Sequence, residues 1–277
     1  MPEGDTIFRL AARLRPVLVG NTITAIQSTV TQIRERHLVG SSVQDVSSRG
    51  KNLLMSFSSG LTLHTHLRMN GAWHVYERGA SWRMPSFTLK LALITSHHEC
   101  VCFAAPVVRL LRTERLPLDP MLSALGPDLL DESFSAEEAT SRLASQGERT
   151  IAEALLDQSL LAGIGNVLKS EILFLQGVHP QTKVAALSAA QLRALVEEAA
   201  NVMGKAVTPG RERSFALPGR VTRRTSQSVN GQGGELWVYG REREACYRCG
   251  GEIKLTTFGK DARVTYHCPR CQPARPV

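Results

Sequence analysis

The chain has no long hydrophobic run: no segment approaches the ~18 apolar residues of a membrane span, and the charged residues after Met1 leave no apolar leader core. A soluble, intracellular, cytoplasmic protein is expected. Cysteine is also scarce. Six in 277 residues are too few for a disulfide-stapled scaffold. No internal repeat is visible, which excludes a solenoid or propeller. Acidic residues are outnumbered, 25 Asp+Glu against 33 Lys+Arg, for a net charge of +8 and a pI near 9.5. That balance favours a polyanionic partner, nucleic acid first. The hydrophobic content of 43% is ample for buried cores, and the length suits two domains with a small appendage.

Ile7, Leu10, Ala11, Leu14 and Leu18 follow the spacing of one helical face, with Gly20 closing the helix. The period then changes to two. Leu61, Leu63, Thr65 and Leu67 alternate with Thr62, His64, His66 and Arg68, and Phe87, Leu89, Leu91 and Leu93 alternate in the same way. Ser58-Ser59-Gly60 reads as the turn after a strand at Leu53–Phe57. Several such strands to about Arg115 imply a β-sandwich or barrel. Leu116-Pro117-Leu118-Asp119-Pro120 reads as a linker, since each proline disfavours helix before it. Helices follow. Ser135 with Glu138, Thr150 with Glu153 and Ser188 with Gln191 have capping-box spacing. Beyond the last, Leu192, Leu195, Val196, Ala199, Val202 and Met203 mark a buried face. Residues 207–234 are rich in Gly, Pro, Ser and Arg, a long loop that Arg211, Arg213, Arg220, Arg223 and Arg224 make more basic than a solvated loop requires and whose glycines suit closure over a ligand.

The most specific chemical pattern is Cys246-x-x-Cys249, eighteen residues, then Cys268-x-x-Cys271. Four thiolates so spaced suit one tetrahedral Zn²⁺, with a hairpin between the two knuckles. Such a site is closed and therefore structural; an iron or redox role is the alternative. Cys100 and Cys102 read as core cysteines. Gly163-Ile164-Gly165-Asn166, running on to Lys169, can cradle a phosphate at a helix N-terminus, or can be a plain helix-turn-helix corner. Lys51 in Arg49-Gly50-Lys51 sits on a turn, where lysine is commonly solvated. Met69 at a loop tip is either packing or an apolar wedge for a base stack. His64 and His66 share a strand face without a third metal ligand, so they read as surface or core polar groups. Removal of Met1 would leave the secondary amine of Pro2 as the α-amino group, a nucleophile able to form an iminium, with Glu3 beside it to move protons. Alternatively Pro2 merely starts a helix and Glu3 compensates its dipole.

Taken together and in this order, these motifs resemble the formamidopyrimidine-DNA glycosylase and endonuclease VIII family of base-excision repair enzymes, across nearly the whole chain. Pro2-Glu3-Gly4 is similar to the endonuclease VIII branch, and Leu155 through His179-Pro180 to the family's helix-two-turn-helix element. Cys246 to Gln272 resembles its zinc finger, with Arg263 where that finger carries a phosphate-binding arginine. The resemblance implies an α+β chain: an N-terminal helix with a two-sheet β-sandwich, then a helical helix-two-turn-helix domain and a C-terminal zinc finger. Expected boundaries are 1–116 for the catalytic domain, 117–127 for a linker, 128–240 for the helical domain with its long loop and 241–277 for the finger. The implied activity is that of a bifunctional DNA glycosylase and AP lyase. It would excise oxidised bases, pyrimidines above all, through a Schiff base on Pro2 and cut the strand by β,δ-elimination. Pro2, Glu3 and Lys51 would be catalytic. Met69 would fill the gap left by the everted base, Asn166, Lys169 and Arg263 would contact DNA phosphate, and Cys246, Cys249, Cys268 and Cys271 would hold one structural Zn²⁺. The partner would be damaged DNA, duplex, bubble or single-stranded, bound by a monomer in a bacterial cytoplasm and associated with the nucleoid through DNA. One departure stands out: many members carry a second glutamate where this chain has Asp5-Thr6, so a helper role there passes to Asp5 or is lost.

Overall fold

The computed structural model describes residues 2–208, 236–258 and 263–274. They form two compact units. The first comprises Pro2 with Thr6–Ser123; the second comprises Glu3–Asp5 and the chain from Ala124 onward. Nearly all of the arginine-rich loop expected over 207–234 lies outside the described residues. Among the described residues, no helix is long and apolar enough to cross a membrane.

Helix α1 (Gly4–Leu18) places Ile7, Ala11, Leu14 and Leu18 on one buried face, and Gly20, at φ +81°, follows its end. Then come β1 (Ala25–Ser28), α2 (Glu35–Leu38), β2 (Val43–Arg49), β3 (Asn52–Phe57), β4 (Leu61–His66) and β5 (Ala72–Glu77). Strands β6 (Leu89–Ile94), β7 (His98–Phe103) and β8 (Val107–Arg112) and the short α3 (Pro120–Ser123) complete the unit. All strand pairs are antiparallel, in two sheets ordered β1-β6-β7-β5 and β2-β3-β4-β8. The alternation is what builds the sandwich. Leu53, Met55, Phe57 and Leu63 from one sheet share a core with Leu91, Leu93, Cys100 and Cys102 from the other, with the buried face of α1 packed into it.

The strand read from Phe87 begins later. Phe87 is 87% exposed and lies in a 3-10 turn at Ser86–Thr88. A register shift between Leu89 and Leu91 then turns Leu89 away from the sandwich core, into a smaller cluster with Tyr76, Val101 and Phe103. The prolines of the expected linker do not leave it irregular: a 3-10 turn spans Thr113–Leu118 and α3 starts on Pro120.

In the second unit α4 (Ala136–Ala144), α5 (Ile151–Leu156), α6 (Asn166–Leu175) and α7 (Ala189–Val207) enclose a common core. Strands β9 (Lys254–Phe258) and β10 (Arg263–His267) form an antiparallel hairpin. The face expected on α7 is buried at all six positions from Leu192 to Met203. Helix α6 is buried on every side from Val167 to Phe174, which makes it the central helix of the unit.

Two of the expected capping boxes close in both directions, Thr150 with Glu153 and Ser188 with Gln191. At Ser135 only the serine bonds back, because Glu138 is engaged by Arg142 one turn on. Thr150→Ala and Ser188→Ala should each lower stability by about 1 kcal/mol and Ser135→Ala by about 0.5 kcal/mol, read as shifts in the urea midpoint.

Candidate active site and metal centre

Glu3 is fully buried, and its carboxylate lies on the N-terminus of α6. Oε2 accepts from the backbone N–H groups of Gly165 and Leu168, both at 3.1 Å, and Oε1 from that of Val167 at 2.9 Å. Helix N-termini present unpaired N–H groups and partial positive charge, so this cradle stabilises the anion. The glycines explain the fit. A Cβ at Gly165 would strike the Glu3 carboxylate, and one at Gly163, whose φ is +103°, would meet Met203 Cε. Gly4 donates its N–H to the Gly163 carbonyl at 2.9 Å, and a Cβ on Gly4 would also strike Met203. The close approach of a Cβ at this position to the Gly163 backbone is thus a physical reason for the glycine of the Pro-Glu-Gly start. Asp5 is fully buried as well. Pro2, half-buried, precedes Glu3 by one peptide bond.

In the first unit Lys51 occupies the two-residue turn between β2 and β3 and is 9% exposed, against the expectation of a solvated lysine. Gly50 has φ +55° while Lys51 stays at negative φ, the residue pattern of a type II′ hairpin. His66 stands nearby. Burial and the charges of Arg68 and Lys51 push its pKa down to about 4, so it is neutral at pH 7. Met69 is 74% exposed at a tight turn in which Arg68 takes φ +47° and donates its N–H to His66 Nδ1. Gly71 closes that turn onto the Leu67 carbonyl, so the apolar tip is held out by a fixed backbone.

The second unit gathers the phosphate candidates unevenly. Asn166 opens α6 and is half-buried, and Arg263 opens β10 and is exposed. Lys169 is different: it is fully buried, so no surface is left for a phosphate to reach its amine. Its Nζ donates to Asn166 Oδ1 at 3.1 Å and to the Val264 carbonyl at 2.9 Å. With Oδ1 engaged, the Asn166 amide keeps its N–H groups as donors. Sequence inspection missed Glu171, a fully buried acid whose carboxylate accepts from the backbone N–H groups of Trp237, Val238 and Tyr239 at 2.7 to 3.0 Å. Burial drives its pKa up; those three donors and Arg241 oppose it. An acid between the apolar positions Leu168 and Ile172 was the available signal.

The four finger cysteines converge, with all Sγ atoms within 4.8 Å of one another. Cys246 and Cys271 are 3.9 Å apart and Cys249 and Cys268 3.5 Å. The β9–β10 hairpin joins the two knuckles as expected, and Gln272 ties the second to the helical unit through the Val178 carbonyl. Such a group can hold a metal ion.

A family model described as the formamidopyrimidine-DNA glycosylase N-terminal domain matches residues 1–106, and one described as the H2TH domain of that glycosylase matches 125–215. Probable endonuclease 8 2 of Streptomyces coelicolor is 38% identical over 275 residues, 98% of this chain and 94% of the relative. Endonuclease 8 of Salmonella arizonae is 35% identical over 278 residues, covering 98% and 100%. A solved Lactococcus lactis FPG mutant, in complex with a Fapy-dG containing DNA, shares the fold at TM-score 0.82 and 24% identity, covering 99% and 100% of the two chains. The chain belongs to the formamidopyrimidine-DNA glycosylase and endonuclease VIII family. It is accordingly an enzyme, a DNA glycosylase with AP lyase activity.

Burial lowers the Lys169 pKa to about 7, with Glu3 opposing the shift and Arg263 adding to it. As pH falls from about 10 to 7, the unfolded chain takes up a proton at this lysine before the folded chain does. The wild type should therefore lose stability relative to Lys169→Met across that window, by up to about 1 kcal/mol per pH unit, and the difference should level off below pH 7. Chemical denaturation of both proteins across that range measures it.

Proposed function

We propose that the enzyme removes oxidised bases from damaged DNA, pyrimidines in preference, through a Schiff base on the α-amino group of Pro2. The buried Glu3 carboxylate on the N-terminus of α6 carries this reading, because an anion fixed there anchors the neighbouring amine. Pro2 nitrogen attacks C1′ of the everted nucleotide, and the base departs with the electrons of the glycosidic bond. The cradled Glu3 starts as the anion, so it first accepts the proton shed by the attacking amine. It then delivers that proton to the ring oxygen as the sugar opens to the iminium. Loss of a C2′ proton eliminates the 3′ phosphate, and a second elimination releases the 5′ phosphate. Lys51 holds a phosphate or carries a proton, Met69 fills the vacated stack, and Asn166 and Arg263 contact phosphates. Lys169 supports Asn166 from within. The preference for pyrimidines is supported by the Pro2-Glu3-Gly4 start and by the endonuclease 8 relatives.

The finger cysteines fit zinc. Tetrahedral Zn–S bonds of about 2.3 Å place sulfurs about 3.8 Å apart, close to the 3.5 and 3.9 Å separations here. Four thiolates leave no open position, so the ion would order the finger and take no part in the chemistry. Cys249→Ser should lose one equivalent of zinc and weaken DNA binding while the N-terminal unit stays folded. Metal analysis, DNA titration and circular dichroism read the three effects, and iron in place of zinc would remove this assignment.

Borohydride trapping on abasic or oxidised DNA, followed by peptide mass analysis, tests the nucleophile. The adduct is expected on Pro2, and retention of Met1 or acetylation should abolish excision and strand cleavage but not DNA binding. Glu3→Gln should slow base excision by roughly 100-fold, and cleavage at a pre-formed abasic site by less. An adduct on Lys51 would refute the assignment. No adduct at all would leave a DNA-binding module without catalysis.

A further inference from the structure

A continuous chain of side-chain hydrogen bonds crosses the sheet that carries Lys51, and it ends at the Lys51 turn. Asp119 Oδ1 accepts from Arg109 Nη2 at 2.8 Å, and the same nitrogen lies 2.9 Å from His64 Nδ1. His64 Nε2 lies 2.8 Å from Asn52 Oδ1, and Asn52 Nδ2 donates to the Arg49 carbonyl at 3.0 Å. Arg109, His64, Asn52 and Arg49 sit on β8, β4, β3 and β2, the order of strands from one edge of the sheet to the other, and Asp119 lies between the 3-10 turn and α3. Strand register explains the reach. Arg109 is directly opposite His64, and His64 is opposite Leu54, so Asn52 is its diagonal neighbour on the same face.

The direction of every bond follows from the first. A guanidinium can only donate, so His64 Nδ1 must accept and its proton must reside on Nε2. That proton goes to Asn52 Oδ1, which orients the amide so that Nδ2 faces the Arg49 carbonyl. Arg49 and Asn52 are the residues that flank the Gly50-Lys51 turn and pair across it. His64 is fully buried, and burial, then Arg109, lowers its pKa to about 4, consistent with a neutral ring throughout the working range.

We propose that His64 and Asn52 are positioning residues for Lys51: the chain from Asp119 locks the base of the hairpin and thereby fixes where the lysine amine is presented. The proposal rests on the reading of Lys51 as a working group of the active site. A hydroxyl or an aliphatic side chain at position 52 could not span from His64 to the Arg49 carbonyl with both a donor and an acceptor. Asparagine can.

The test uses the full-length protein and DNA with a pre-formed abasic site, under single-turnover conditions. His64→Phe and Asn52→Leu should each slow cleavage at saturating DNA roughly tenfold while half-saturation stays unchanged. His64→Gln should recover most of that loss, since glutamine can accept from Arg109 and donate to Asn52. Neither substitution should slow the reaction further in a Lys51→Ala background, because the lysine that they position is gone. Long-range nitrogen NMR of the wild type should show the Nε2–H tautomer at His64. Thermal unfolding identifies folded variants, and Asn52→Leu decides the matter if His64→Phe does not fold. A loss that is the same with and without Lys51, no loss at all, or an Nδ1–H tautomer overturns the relay while leaving Lys51 in place. Full activity of Lys51→Ala instead overturns the reading of Lys51, and the proposal with it.

Discussion

The attachment of the Glu3 carboxylate to the N-terminus of α6 is the constraint from which much of the second unit follows. An isolated buried carboxylate costs several kcal/mol, and three backbone N–H bonds with a helix dipole offset that cost. The arrangement works only if the backbone can close on the acid. Gly165 is therefore excluded from bearing a side chain, Gly163 is held at positive φ, and Gly4 sits against the Gly163 backbone. Because Pro2 is the next residue back along the chain, anchoring Glu3 also restricts where Pro2 can lie.

Helix α6 carries the consequences away from that point. Three of its polar residues are fully buried, Lys169, Ser170 and Glu171, and each is satisfied by a neighbouring segment. Lys169 reaches the Val264 carbonyl, Ser170 accepts from the Tyr266 N–H, and Glu171 gathers the N–H groups of Trp237, Val238 and Tyr239. Phe174 at the far end packs with the finger cysteines. Buried polar groups of this kind are costly when unmatched and direct packing when matched. The helix thus connects the acid at its start with the finger hairpin along its length.

The first unit solves a parallel problem in a different way. Its core is largely apolar, the indole of Trp73 being satisfied by Thr65, and the alternation of side chains across the strands produces it directly. On the opposite face of one sheet Arg109, His64 and Asn52 form a chain of fixed direction. That chain ends at the Lys51 turn, where Asn52 binds the Arg49 carbonyl.

Much of this could be read from the chain alone. Helix faces such as Ile7 to Leu18 and Leu192 to Met203, two of the three capping boxes, and the paired cysteines are local periodicities or spacings, and local geometry transmits them into structure with little interference. The short Pro2-Glu3-Gly4 and finger motifs were visible for the same reason. Other features depended on what the fold brings near. Phe87 is outside the sandwich because a 3-10 turn precedes the strand, Leu89 is turned from the core because the register shifts between it and Leu91, and Glu138 left its box because Arg142 competes for it. Lys169 reads as a surface cation but is buried, since α6 is enclosed on all sides. Residues 165 apart along the chain meet where Leu168 binds Glu3, and no periodicity encodes such a contact. Sequence determined which residues could do chemistry and which faces would be buried; only tertiary structure decided which polar groups would meet, because burial and hydrogen-bond direction are properties of the assembled neighbourhood.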